Sequence, residues 1–108
     1  MCKTLTTLTI GTKQVEIKLT KHAKKRFKQR LQQHNITEWQ IIGNIVMLGE
    51  KLIQYGKDEE EFIIIDNNHH FSVVCGSHEE DNKTVVYIIT VIDKDNVFVK
   101  NNTSIEKV

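Results

Sequence analysis

The sequence has no proline, two cysteines and few aromatic residues, which make up 6% of its 108 residues. The missing proline reflects a compositional bias and carries no chemistry. Cys2 and Cys75 lie far apart and Cys2 is almost terminal, so neither a disulfide framework nor a cysteine metal pair is expected. The longest apolar run, residues 84–92, is too short to cross a bilayer, and the N-terminus has no signal-peptide pattern. We therefore expect no membrane contact and a cytoplasmic location.

Motifs that carry the chemistry of many enzymes are also missing. The chain has no Gly-rich phosphate loop, no Ser nucleophile elbow and no Cys-x-x-Cys. The acidic residues that follow His78 are consecutive and have no spaced partners, so we expect no metal site and no cofactor. Cys75 has no cationic neighbour in sequence that would activate it, and we expect it to fill the core.

The length suits one domain, and we expect residues 1–108 to form it, with a frayed tail from about residue 100. Fifteen Lys and Arg against fourteen Asp and Glu give a net charge of +1, but the charges are unevenly placed. Residues 18–30 hold seven Lys or Arg and no acid, whereas acids gather at residues 58–61 and 79–81. The pattern predicts a dipolar molecule with one basic helix.

The first half of the chain predicts a β-hairpin and two helices. Apolar and polar residues alternate in two short segments around Gly11, which is typical of a hairpin. Apolar residues then recur at helical spacing after Thr20 and after Thr37, and each threonine can cap a helix. The expected bounds are residues 5–10 and 15–19 for the hairpin and residues 21–34 and 37–49 for the helices.

The second half predicts β-strands, because continuous β-branched runs alternate with polar turn residues. The expected strands cover residues 52–55, 61–66, 71–76, 84–93 and 97–99, with breaks at residues 56–57, 67–68 and 80–82. They would form an antiparallel β-meander of four to five strands with both helices on one face, an α+β plan. Trp39, Phe62, Phe71 and Phe98 do not form a stacking platform by spacing, and core packing explains most of them.

The first helix carries the residues most suited to chemistry. His22, Arg26 and Arg30 follow one another at four-residue spacing. The apolar stripe beside them consists of Ala23, Phe27 and Leu31. Two guanidiniums and an imidazole suit a phosphodiester, because Arg binds phosphate oxygens bidentately and His exchanges a proton near neutral pH. The alternative is a solvated basic face; we favour the phosphodiester site because His and Arg occupy the inner stripe and Lys the outer one.

Residues 18–30, with His22 before Ala23 and then Arg26 and Arg30, resemble the opening motif of the domain of unknown function 4258 family. That motif reads His-Ala, then Arg three residues after Ala, then Arg four residues later. Ile36-Thr37 and an apolar helix ending in Gly49 extend the likeness. Residues 85–92, with Thr90 in an apolar run, are similar to the closing strand of that family.

This resemblance implies a fold related to the RelE and BrnT toxins, within a wider group of metal-independent ribonucleases. Carried over by position, His22 would be the catalytic base or acid, Arg26 and Arg30 would bind phosphate, and Thr90 would be a site residue on the last strand. The implied partners are RNA and a cognate antitoxin or another protein. The chain departs from the family in its N-terminal hairpin and in its acidic segment, residues 58–61.

The matching mechanism needs no metal. A base removes the proton of a ribose 2′-hydroxyl, the oxygen attacks phosphorus, and Arg stabilises the developing charge, which leaves a 2′,3′-cyclic phosphate. His69, His70 or Tyr87 would supply the second proton-transfer group. We expect Lys21, Lys25, His69 and Tyr87 to contact RNA.

Two other functions stay open at this point. One is a non-catalytic module that binds a nucleic acid, a nucleotide or a protein through the same basic helix. The other is an immunity protein or antitoxin whose acidic segment, residues 58–61, masks the basic cleft of another protein.

Overall fold

The computed structural model describes residues 2–99 and 103–108 and shows a mixed α+β fold. Within these residues the chain has three α-helices, one short 3-10 helix and a six-stranded sheet. The strands are β1 (Lys3–Ile10), β2 (Lys13–Leu19), β3 (Glu61–Asp66), β4 (Phe71–Glu80), β5 (Lys83–Ile92) and β6 (Ser104–Lys107). The helices are α1 (Lys21–Arg30), α2 (Glu38–Val46) and α3 (Lys51–Asp58). The predicted α+β class is confirmed, whereas the number of helices and the layout of the sheet differ from the prediction.

The N-terminal hairpin is confirmed. β1 and β2 pair antiparallel, and Gly11 between them has a φ of +63°, the left-handed conformation that favours glycine in a tight hairpin turn. In β2, Val15, Ile17 and Leu19 are buried in the core that the helices cover. The alternation of the sequence therefore decides which face of β2 packs against the helices.

Thr20 caps α1, as its position predicted. Its hydroxyl accepts a hydrogen bond from the Ala23 N–H and donates one to the Ile88 carbonyl over 3.0 Å, so the cap also ties α1 to β5. The helix ends at Arg30 instead of residue 34, and a 3-10 helix, Gln32–His34, follows it. Asn35 then takes a left-handed conformation, which ends the helical segment.

Thr37 caps α2, again as predicted, through a capping box with Gln40. The helix ends at Val46 instead of Gly49, and turns lead from Val46 into α3. None of the helices in the described ranges combines the length and the apolar character needed to span a membrane.

The strand predicted over residues 52–55 and the turn predicted at residues 56–57 are wrong, because these residues form α3. Leu52 and Gly56 are buried one helical turn apart and face the sheet. A short apolar run fits a strand and a helix equally well, and packing against β5 decides between them.

The predicted all-antiparallel meander is also wrong in part. The sheet order is β1-β2-β5-β4-β3-β6; β3, β4 and β5 pair antiparallel as expected, whereas β2–β5 and β3–β6 are parallel pairs. A parallel pair needs a long connection, and between β2 and β5 it includes all three helices and the β3–β4 hairpin. Strand patterns in a sequence show local hairpins but not such distant neighbours.

The frayed tail predicted from about residue 100 is wrong for residues 103–108, which contain β6 paired with β3. Residues 100–102 of that tail lie outside the described residues. The strand predicted over residues 97–99 is absent, since these residues have no regular structure. β6 is held from the side by α3, because Tyr55 and Lys51 both bind the Glu106 carboxylate.

The core lies between the helices and one face of the sheet. Phe62, Phe71 and Cys75 are fully buried, as expected. Trp39 is 74% exposed on the outer face of α2, so its predicted place on the packed face of that helix is wrong, and Phe98 is fully exposed. The buried residues of α2 are Ile41, Ile42 and Ile45, and Trp39 lies outside this face.

Candidate functional site

The outer surface of α1 carries five exposed cationic or titratable side chains. We call this surface the basic face; it consists of Lys21, His22, Lys24, Lys25 and Lys28. Ion pairs formed by the described residues include none of these five. The helix itself contains no acid. Their positive charge therefore acts on the surrounding solvent without local compensation.

Arg26 and Arg30 are half-buried at the edge of the basic face, and both already make a hydrogen bond. The Arg26 Nη1 donates to Gln29 Oε1 over 3.0 Å within the helix. The Arg30 Nη1 donates to the backbone carbonyl of Val91 over 3.0 Å, which fixes this guanidinium at the end of β5. A guanidinium has five N–H donors, so each arginine keeps donors for a ligand.

Thr90 and Tyr87 lie on the face of the sheet opposite α1. Thr90 pairs with Val74, next to Val91, which is part of the helix-side core. Tyr87 stacks on His78 at 5.3 Å between ring centroids, and the Lys18 ammonium lies 5.9 Å from its ring. The sheet separates both residues from His22, and the roles predicted for them stay predictions.

A β-bulge explains the position of Thr90. Ile88 pairs with Cys75 and Thr90 with Val74, so Ile89 is an extra residue in β5. Without it, Thr90 would share the helix-side face of Ile88, as a regular period of two implies. The extra residue moves the side chain of Thr90 to the other face of the sheet. The sequence pattern did not predict this change of face.

A second group of titratable residues surrounds the turn between β3 and β4. Asp66 is 4% exposed, and its carboxylate accepts hydrogen bonds from the Asn44 side-chain amide and from the backbone N–H groups of Asn68 and His69. The His69 Nδ1 lies 3.0 Å from Asp66 Oδ2. His69 is thus half of a histidine–carboxylate pair with a buried carboxylate.

Asp66 stays ionised in this setting. Burial by itself would raise the pKa of Asp66, but the bonds from Asn44 and from the backbone and ring of His69 outweigh it and hold that pKa below its ordinary value. An ionised carboxylate can only accept hydrogen bonds, so the Nδ1 of His69 that contacts Asp66 is a ring nitrogen that carries a proton.

His69 borders a cavity of about 230 Å³, which we call the histidine pocket. Its walls are Leu31, His34, Ile36, His69, His70 and Asp93. The His70 Nδ1 lies 2.9 Å from Asp95 Oδ2. Among the residues that the structure describes, no group of three or more His, Cys, Asp or Glu is arranged to hold a metal ion.

The histidine pocket lies at the end of the molecule where α1 and β5 terminate. Arg30 directly precedes the pocket residue Leu31, and it binds Val91, two residues before Asp93. His22 lies a full eight residues earlier, about 12 Å along the helix at 1.5 Å per residue. The structure therefore brings Arg30 and His69 to one end and leaves His22 at the other.

His34 and Asp93 are the titratable pocket residues that the sequence prediction assigned to no site. His34 ends the 3-10 helix after α1 and lies 35 positions before its pocket neighbour His69 in the chain. The sequence spacing of Asp66 and His69 was the only local signal for the pocket, because one carboxylate three residues before a histidine can reach its ring across a turn.

The chain matches no known family model, and neither characterised proteins nor solved structures include a significant match. The resemblance to the domain of unknown function 4258 family and to the RelE and BrnT fold therefore stays a prediction.

Proposed function

We propose that the protein binds RNA through the basic face and acts on it as a toxin-like, metal-independent endoribonuclease. The basic face itself carries this proposal. Its exposed lysines have no ion-pair partner among the described residues, and a field of one sign on a helix surface attracts the phosphate backbone.

Arg26 and Arg30 complement the lysines of the basic face. Lysine binds phosphate as a flexible point charge, whereas a guanidinium with free donors binds phosphate oxygens in a fixed geometry. Both arginines are half-buried and are held by a first hydrogen bond, so less side-chain entropy is lost when phosphate binds. The pair is suited to stabilise charge that develops on a phosphoryl group.

The reaction proposed is an internal transfer at phosphorus. The ribose 2′-oxygen loses its proton to a histidine and bonds to phosphorus, the P–O5′ bond breaks, and the leaving oxygen takes up a proton. The products are a 2′,3′-cyclic phosphate and a 5′-hydroxyl. Histidine suits both proton transfers near neutral pH, and RNA supplies the nucleophile through its 2′-hydroxyl.

One observation favours a second candidate, a non-catalytic nucleic-acid-binding protein. His22 is exposed, and within residues 2–99 and 103–108 no side chain forms a hydrogen bond that would orient its ring. A surface imidazole without such a partner contributes to binding as readily as to catalysis. RNA cleavage separates the two candidates.

Binding is tested by fluorescence anisotropy with a labelled single-stranded RNA over a series of salt concentrations. We compare Lys21→Gln/Lys25→Gln with Lys57→Gln/Lys107→Gln, a control that removes the same charge from exposed lysines elsewhere. The slope of log K against log salt should fall by about 1.4 in the first variant, at about 0.7 per lost phosphate contact, and stay unchanged in the control. Equal effects in both variants would overturn binding at the basic face.

Cleavage is tested with the wild-type protein and RNA in EDTA, with analysis of the 3′ ends. Fragments that end in a cyclic phosphate support the endoribonuclease. Binding without any fragment at high protein concentration would overturn it and leave the second candidate.

A further inference from the structure

The histidine pocket brings four titratable side chains together outside the basic face, and RNA binding by α1 leaves it unused. Three of its six wall residues are histidines, namely His34, His69 and His70. An open pocket with several such groups, one of them paired with a buried carboxylate, is a candidate reaction centre.

We propose that the histidine pocket is the cleavage site, with His69 and His34 exchanging the protons of the reaction and Asp66 positioning His69. This inference rests on the proposed ribonuclease function and moves its chemistry from His22 to the other end of α1.

Asp66 holds His69 in one orientation. Its carboxylate is fixed by the Asn44 amide at 2.9 Å and by two backbone N–H groups at 3.0 and 2.9 Å, so it has little freedom to follow a moving ring. His69 Nδ1 lies against it, and no described residue forms a hydrogen bond with Nε2. The side chain is 51% exposed, so the ring is open to a substrate hydroxyl.

His34 supplies the second imidazole. It lines the same cavity as His69 but comes from a different part of the chain, the end of the 3-10 helix that Asn35 terminates. His70 suits this role less well, because its ring is already paired with Asp95 and its backbone has a positive φ of 59°. The cavity has a volume of about 230 Å³ and is open, so a group of the substrate can enter it.

Arg30 connects the basic face with the histidine pocket. Its guanidinium is anchored on the Val91 carbonyl beside the pocket, and its remaining donors can bind phosphoryl oxygens. An RNA strand that follows the basic face from Lys21 towards Lys28 leads to this end of the helix. Asp93 in the pocket wall disfavours a doubly charged phosphate more than a singly charged one, which suits a diester inside an RNA chain.

The step balances with these residues alone. His69 Nε2 takes the proton of the 2′-hydroxyl while the 2′-oxygen bonds to phosphorus. The P–O5′ bond breaks, and the protonated His34 gives its proton to the leaving 5′-oxygen. One proton enters the protein and one leaves it, so no further reactant is needed.

The test is single-turnover cleavage of a labelled oligoribonucleotide in EDTA. We expect His69→Ala and His34→Ala to slow cleavage at least 100-fold, because general acid–base catalysis typically contributes a factor of about 100 or more to the rate. RNA affinity should stay within about twofold of wild type. Both side chains are exposed, so the two variants should fold. His78→Ala on the opposite face is the matched control and should cleave at the wild-type rate.

Asp66→Asn tests the positioning residue. We expect slower cleavage and a shifted pH–rate profile with unchanged RNA affinity, since the histidine remains but loses its carboxylate. A merely structural loss would lower the amount of active protein without moving the profile. Should that variant unfold, Asn44→Ala, which removes one bond to the same carboxylate, replaces it.

The outcomes distinguish the two proposals. Wild-type cleavage that persists in His69→Ala and His34→Ala but is lost in His22→Ala overturns the pocket and keeps the ribonuclease. Absence of cleavage by the wild-type protein overturns the ribonuclease and the pocket together.

Discussion

The backbone of Gly56 in α3 lies directly against the side chain of Thr84 in β5. A Cβ atom at Gly56 would stand 2.8 Å from Thr84 Cγ2, which is closer than such atoms approach in proteins. Thr84 is fully buried, and its hydroxyl has no hydrogen-bond partner among the described residues. Glycine therefore permits α3 to reach the sheet at this point.

The first prediction concerns this contact. Gly56→Ala should lower the free energy of unfolding by about 1–3 kcal/mol through overpacking, measured by chemical denaturation. Gly43→Ala is the matched control, because nothing lies within 4 Å of its Cβ position on the exposed side of α2, and it should raise stability by about 0.5–1 kcal/mol. Thr84→Ala should largely rescue Gly56→Ala; no rescue would show that the strain lies elsewhere.

The second prediction concerns the attachment of β6. The Tyr55 hydroxyl donates to the Glu106 carboxylate, and the Tyr55 ring stacks on Phe62 at 4.5 Å between centroids. Burial, reinforced by that bond, raises the pKa of Tyr55 to about 12. Tyr55→Phe keeps the stack and loses the bond, which should cost about 1.5–3 kcal/mol.

Hydrogen exchange locates this loss. We expect amides of β6 to lose protection in Tyr55→Phe, while amides of the central strand β4 lose less, because β6 is an edge strand paired only with β3. Tyr87→Phe, on the exposed side of the sheet, should change neither. Equal loss of protection in β4 and β6 would contradict a local role for the bond.

The third prediction is a pH dependence that comes from Asp66. Its pKa is lowered in the folded protein, so the stability that it contributes is present above its unfolded pKa, about 3.9, and is lost as the pH falls through the folded value. Asp66→Asn should be less stable than wild type at pH 7 by about 1–3 kcal/mol, and the gap should narrow below about pH 4. Urea denaturation from pH 7 to pH 2 measures it, with Asp58→Asn as a control for charge. A gap that stays constant over this range would contradict the prediction.

The fourth prediction separates the two arginines of α1. Arg30→Gln loses a bond that joins α1 to β5 and should lower the midpoint of thermal unfolding, with a cost of about 1 kcal/mol because the group is half-exposed. Arg26→Gln loses only a contact within the helix surface and should change stability by less than about 0.5 kcal/mol. Equal costs would mean that the Val91 bond contributes no stability.

Local patterns predicted the elements that local chemistry controls. Thr20 and Thr37 cap their helices at the predicted residues, because a capping hydroxyl and the N–H groups it satisfies lie within three residues of each other. The strand Glu61–Asp66 has its predicted bounds. The segment 51–58 was missed, because neither its short apolar run nor Gly56 distinguishes a strand and turn from a buried helix.

The candidate site was predicted in pieces. The half-buried positions of Arg26 and Arg30 agree with the predicted inner stripe next to Ala23 and Phe27, whereas His22, which was predicted on the same stripe, is exposed. The position of Thr90 did not follow, because one bulged residue reverses the alternation of β5. His34 and His69 meet at one cavity only after two distant segments pack together.

The sequence by itself determined the α+β class, the N-terminal hairpin, the two capped helices and the basic face, since each depends on residues a few positions apart. Only the tertiary structure decided that β2 lies beside β5, that residues 104–107 pair with β3, and that the histidine pocket exists. The physical reason is that burial against distant segments selects among local conformations of similar energy, and no pattern within one segment records which segment will cover it.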